Sequence, residues 1–155
     1  MKRSFLRTNL VLISFLSLLV SFPPTASAAY CSTATVAGTW GFTLNGTLIL
    51  PSGAVPAAAI GKAIADINGN LNGTEARNVG GGYADETLTG NWTVSPDCTG
   101  TATVSFYESG QVVRTSVLTI VFDDNSKEAR MVQKSLTLPD GSQVPVVLIL
   151  EGRKQ

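Results

Sequence analysis

Apolar and polar residues alternate with a period of two along much of this chain. Between Gly38 and Leu50, the residues Trp40, Phe42, Leu44, Leu48 and Leu50 share one parity, and Thr39, Thr43, Asn45 and Thr47 share the other. Successive side chains of an extended strand point to opposite faces, so this segment predicts a half-buried strand with its even positions inside. The same beat returns at 86–94, where Leu88, Trp92 and Val94 oppose Thr87, Thr89, Asn91 and Thr93. It returns again at 101–107, where Ala102, Val104 and Phe106 oppose Thr101, Thr103 and Ser105. No segment after the N-terminal run carries a sustained helical stripe. The one helical temptation, 57–67, has Pro56 before it and Gly61 in its middle.

Turn residues cut the chain into eight strands, expected at about 38–50, 57–67, 71–79, 86–94, 101–107, 111–122, 128–138 and 143–150. The dividers are Pro51 to Pro56, Asn68-Gly69, Gly80-Gly81-Gly82, Ser95 to Cys98, Ser109-Gly110, Asp123-Asp124-Asn125 and Pro139-Asp140-Gly141. In the sixth and seventh strands both parities mix apolar and charged residues, so alternation alone does not assign their faces. Eight antiparallel strands on short turns leave two unpaired edges unless the sheet closes. An all-β, eight-stranded up-and-down barrel removes both edges, with an interior that side chains fill or that holds one small ligand.

Cys31 and Cys98 are the only cysteines. In an exported chain they would form one bridge, closing a loop of about 67 residues worth roughly 4 kcal/mol. The up-and-down order offers a check. Cys31 precedes the first strand and Cys98 lies in the turn after the fourth, so both fall on one rim, as does Arg153 near the chain end. The opposite rim carries the loops 51–56, 80–85, 109–110 and 139–141. The first two are expected to be the longest, and this rim is expected to be the mouth.

The N-terminus reads as an export signal. Lys2, Arg3 and Arg7 are followed by an apolar run from Leu10 to Val20, then Ala26-Ser27-Ala28. The run is too short to span a bilayer, and no later segment is long and apolar enough to do so. Residues 1–28 are therefore expected to be a signal peptide, of general or twin-arginine type, and 29–155 a single barrel domain, secreted or periplasmic. Tyr30 before Cys31 is unlike a lipid-attachment site, which leaves Cys31 to the bridge.

Charge narrows the function further. Lys plus Arg and Asp plus Glu number 11 each, but three bases lie in the signal, which leaves the rest near −3. That balance argues against nucleic-acid binding. The absence of histidine removes histidine acid–base chemistry and the usual zinc and copper sites. Asp66-x-Asn68-x-Asn70 has the oxygen spacing of a calcium loop, but Leu71 and Arg77 stand where that motif needs Gly and Glu, so a hairpin turn explains it better. No nucleophile elbow or phosphate loop appears, and no cofactor is expected. Three Asn-x-Thr triplets, at Asn45, Asn72 and Asn91, match a glycan acceptor, as threonine-rich strands often will.

Gly38-Thr39-Trp40, at the start of the first strand, resembles the Gly-x-Trp motif of lipocalins and related calycin barrels. The resemblance implies a closed end where a late Arg or Lys, here Arg153, packs on Trp40. The turn phrases at 66–73 and 92–101 also resemble those of a group of exported bacterial proteins of unassigned role, a likeness that implies no chemistry.

The expected function is binding of a small hydrophobic or amphipathic molecule inside the barrel, with Trp40, Phe42, Trp92, Phe106, Leu88 and Val104 as candidate lining. The same residues would equally serve a filled core. Glu75, Arg77, Arg114, Arg130 and Lys134 lie on strands, where a solvated outer face is their usual fate; any that turned inward would anchor a polar head. A barrel isomerase or cyclase, similar in strand count to allene-oxide-cyclase-type barrels, would need a buried Glu75, Glu86 or Tyr107. A filled barrel acting at a surface is the third reading. No residue pattern points to an oligomeric state.

Overall fold

The computed structural model describes residues 30–123 and 125–155; the export segment read at 1–28 lies outside them. Eight strands follow one short helix. They are β1 (Gly38–Leu50), β2 (Gly53–Ala65), β3 (Asn70–Val79), β4 (Gly82–Val94), β5 (Thr99–Glu108), β6 (Gln111–Asp123), β7 (Glu128–Thr137) and β8 (Val146–Lys154). Each pairs antiparallel with the next, and β8 returns to pair with β1, so the sheet closes in up-and-down order. Inward positions follow the expected parity in β1, β4 and β5, where Trp40, Leu44, Leu88, Trp92, Ala102, Val104 and Phe106 are buried.

The loop expectation needs correcting. Pro51-Ser52 and Gly80-Gly81 are tight two-residue turns, so β2 and β4 begin earlier than expected. The longest connection is instead the one between β7 and β8, at 138–145, which is pinned by a Thr137–Gln143 bridge. Pro56 lies inside β2 rather than closing a loop. Its carbonyl accepts from Gly80 N at 2.9 Å, so its missing N–H faces the β3 side, just past the last ladder pair, Ala57 with Val79. Gly46, at φ +151°, lets β1 and β8 approach closely, since a Cβ there would stand 2.0 Å from the Val147 carbonyl oxygen.

Two bulges break the alternation in β6 and β7. Arg114 pairs with Phe106 and Val112 with Tyr107, which leaves Val113 as the extra residue. Ser135 pairs with Val117 and Gln133 with Leu118, which leaves Lys134 extra. A bulge carries one strand past its partner by a residue and resets which parity faces in. This is why the faces of these two strands resist a period-two reading.

The rim that carries both termini of the barrel is sealed. Helix α1 (Thr33–Val36) starts at Ser32 with reciprocal side-chain capping by Thr35, and its Val36 is fully buried. The Trp40 indole nitrogen donates to the Val36 carbonyl at 3.0 Å. Cys31 and Cys98 are bonded across this rim, with Cα atoms 4.9 Å apart. Beneath the helix, Trp40 and Trp92 flank Phe122 at centroid distances of 6.0 and 5.7 Å.

Candidate functional site

Two cavities divide the barrel interior. The lower, of about 90 Å³, is apolar, and all six sequence-selected residues line it: Trp40, Phe42, Leu88, Trp92, Val104 and Phe106. The upper, of about 260 Å³, opens toward the rim opposite the helix. Its wall combines Leu44, Leu48, Ala57, Ala59, Leu136 and Leu148 with Glu75, Arg77, Arg114, Ser116 and Gln133. Phe106, Leu118 and Leu150 line both, so they form the partition. An engineered cavity of about 150 Å³ holds benzene, so the lower space is too small for an aromatic ring as it stands and the upper is large enough. The sequence-selected set is thus gathered in one place, but only Phe106 reaches the larger cavity.

A charged cluster stands at the partition. Glu75 and Glu86 are direct cross-strand partners on β3 and β4, and both are buried at 3 % exposure. Like charges placed opposite each other repel, and burial makes the repulsion worse. Arg114 resolves it from β6, with Nη2 donating to Glu75 Oε1 and Nη1 to Glu86 Oε2. Arg77 Nε donates to the other oxygen of Glu86. The Arg114 guanidinium also lies over the Phe106 ring, 3.8 Å from its centroid, directly across the β5–β6 bulge.

The two carboxylates are not equivalent. Glu86 has both oxygens engaged by guanidiniums, whereas Glu75 has only one so engaged, and its carboxyl holds its proton against the neighbouring Glu86 carboxylate. Burial pushes the Glu75 carboxyl above its ordinary value; Arg114 opposes the shift and Glu86 adds to it. Nearby, Gln133 spends its amide N–H groups on Ser116 Oγ at 3.0 Å and the Ser135 carbonyl at 3.1 Å.

The other candidates lie elsewhere. Arg153 does not pack on Trp40: its side chain is 82 % exposed and pairs with Glu128 on the outer face. Strand parity explains the miss. Arg153 is the outward neighbour of Lys154, which faces Trp40 in register and whose Nζ donates to the Thr35 carbonyl at 3.0 Å. Arg130 and Lys134 point outward, as charged strand residues commonly do, whereas Glu75, Arg77 and Arg114 turn in, against that expectation. Tyr107 is half-buried, and its hydroxyl accepts from the exposed Thr89. Asp66 caps its turn, accepting from Asn68 N and Asn70 N at 2.8 Å each. Trp92 Nε1 is buried without a partner. Among the described residues no cluster of three or more metal-binding side chains gathers, and no helix is long and apolar enough to cross a membrane.

The fold and interior define a closed eight-stranded antiparallel barrel with a polar partition between two cavities. A structure of EF1p2_mFAP2b bound to DFHBI is similar, with a TM-score of 0.55 and 12 % identity over 79 % of this chain and 98 % of that one. A redesigned β-barrel, mFAP1, bound to DFHBI, aligns with a TM-score of 0.50 and 18 % identity over 79 % of this chain and 97 % of that one. At such identities the likeness concerns the fold. No protein-family model and no curated protein matches the chain.

Proposed function

We propose that this chain, once exported, is a lipocalin-like binding barrel that holds a small hydrophobic or amphipathic molecule in its upper cavity. The observation that carries the reading is the space of about 260 Å³ inside a closed sheet, apolar on most of its wall and polar at its floor. The two similar barrels carrying DFHBI support it by showing the architecture with a small molecule bound. The β7–β8 ladder stops at Val132 with Ile149 and pairing resumes at Leu136 with Val144 and Thr137 with Gln143, so the break is local, and Leu138 and Val144 of the connecting loop line the upper cavity. The test is titration with a panel of environment-sensitive hydrophobic probes, against the protein and against Ala59→Trp, which fills the upper cavity. Saturable binding that the substitution weakens about tenfold or more is expected. Binding by no probe, or binding indifferent to the substitution, contradicts the proposal.

One observation favours a second reading. Glu75 and Glu86 are buried side by side with different hydrogen-bonding environments, the arrangement that separates an acid from a base. A barrel isomerase or cyclase would use Glu75 as its proton carrier. The filled-barrel reading would need an interior without cavities of this size.

A further inference from the structure

We infer that the upper cavity selects a neutral molecule with a carbonyl head, an apolar body whose ketone, ester or amide oxygen accepts from the uncommitted N–H groups of Arg114. The inference rests on the interior-binding reading and names the chemistry of the ligand's head.

Three observations converge. The first is what the floor exposes. The carboxylates of Glu75 and Glu86 are hidden, whereas the Arg114 and Arg77 side chains keep 13 % and 25 % of their surface. Both arginines line the upper cavity and Glu86 does not, so a ligand reaching the floor meets guanidinium. Phe106 covers one face of the Arg114 guanidinium at 3.8 Å, which leaves the in-plane N–H edge for contact. The second is hydrogen-bond valence. Arg114 spends one N–H of each terminal nitrogen on a carboxylate; the second hydrogen of each, and the Nε–H, have no acceptor among the described residues. Ser116 Oγ accepts from Gln133, which leaves its own proton uncommitted. The floor is therefore rich in donors and short of acceptors. The third is charge. Glu75 and Glu86 balance Arg77 and Arg114, and the half-exposed Glu108 at the rim is left to solvent. The rest of the wall adds no charge: β2 presents Ala57 and Ala59, and β7 presents Gln133 and Leu136. A carboxylate head would leave three anions to two cations, and an ammonium would meet guanidiniums in front of carboxylates it cannot reach. A carbonyl oxygen takes up an idle donor and alters no charge.

Acetylnaphthalene, ethylnaphthalene, naphthoate and naphthylmethylamine, substituted at the same ring position, carry one body with a ketone, no polar atom, a carboxylate or an ammonium. Their affinities for the intact barrel are read by equilibrium dialysis in mildly alkaline buffer, because a proton held by Glu75 would leave the floor one positive charge and admit naphthoate. Acetylnaphthalene is expected to bind about tenfold tighter than each of the others, the scale of a hydrogen bond from a charged donor. Its infrared carbonyl stretch should move to lower frequency on binding. Arg114→Met should erase the preference over ethylnaphthalene, while ethylnaphthalene binding stays. Equal affinity for the ketone and ethylnaphthalene, or an unshifted stretch, would overturn the carbonyl inference and leave interior binding standing. Tighter binding of naphthoate or of the amine would do the same. Binding by none of the four also overturns it, and the hydrophobic probe panel then decides interior binding by itself. Should Arg114→Met not fold, the four-ligand comparison and the carbonyl stretch on the unaltered protein decide.

Discussion

The two halves of this barrel use opposite chemistry. The lower half is tied shut by a disulfide and a capped helix, with an indole hydrogen bond and three aromatic rings beneath them. Its remaining space is small and wholly apolar. The upper half has no such seal, its β7–β8 ladder is interrupted between Val132 and Leu136, and its floor is a buried ion cluster. Burying charge at this end costs desolvation, which the two guanidiniums offset.

The sharpest way to break this contrast is to remove the cation that holds the floor. Arg114→Met should destabilise the protein by about 3–5 kcal/mol in urea denaturation, because it leaves two facing carboxylates buried with Arg77 as their only remaining cation. A loss below 1 kcal/mol would mean that water reaches the cluster freely. Next in size is the lower seal. Reduction, or Cys31→Ser with Cys98→Ser, should cost up to about 4 kcal/mol, read as a lower midpoint, while probe binding in the upper cavity persists at temperatures where the protein remains folded. Trp40→Phe should follow at about 1–3 kcal/mol, from the lost bond to Val36 and lost packing.

Acid–base behaviour separates the floor from the turns. Glu75 sits above its ordinary value of 4.5, so the folded state holds that proton more tightly than the unfolded chain. The stability it contributes is full below 4.5 and is lost as pH rises through the native value. Unfolding free energy measured against pH should therefore fall above 4.5, and Glu75→Gln should flatten that fall. Asp66, Asp97 and Asp140 act with the opposite sign. Each is held below 3.8 by a side-chain hydrogen bond, to Asn70, Thr99 and Ser142 respectively, so their contribution disappears as pH drops past that value. The smallest effect belongs to the outer face: Arg153→Ala should change stability by less than about 1 kcal/mol, since its pair with Glu128 is solvated and screened.

How much of this was legible beforehand divides along the same line. The lower half was readable. Alternation placed Trp40, Trp92 and Phe106 inside, and the even strand count brought Cys31 and Cys98 to one rim. The upper half was not, for two physical reasons. Bulges at Val113 and Lys134 shift the parity of β6 and β7, which hides Ser116 and Gln133 among residues of mixed character. The inward turn of Glu75, Arg77 and Arg114 depends on partners contributed by three different strands, and no local pattern encodes such partners. The inward parity of β3 did hold a hint, because Leu71, Glu75 and Val79 share it. Arg153 fails by a single residue of register, the smallest error a strand allows and one that reverses the face.

The most direct test is methyl-resolved NMR during titration with a hydrophobic probe. The Leu136 and Leu148 methyls report on the upper cavity, and those of Leu88 and Ile120 on the lower. Saturable shifts confined to Leu136 and Leu148, with Leu88 and Ile120 unmoved, are the predicted result. Shifts centred on Leu88 and Ile120, or none at any probe concentration, would contradict it.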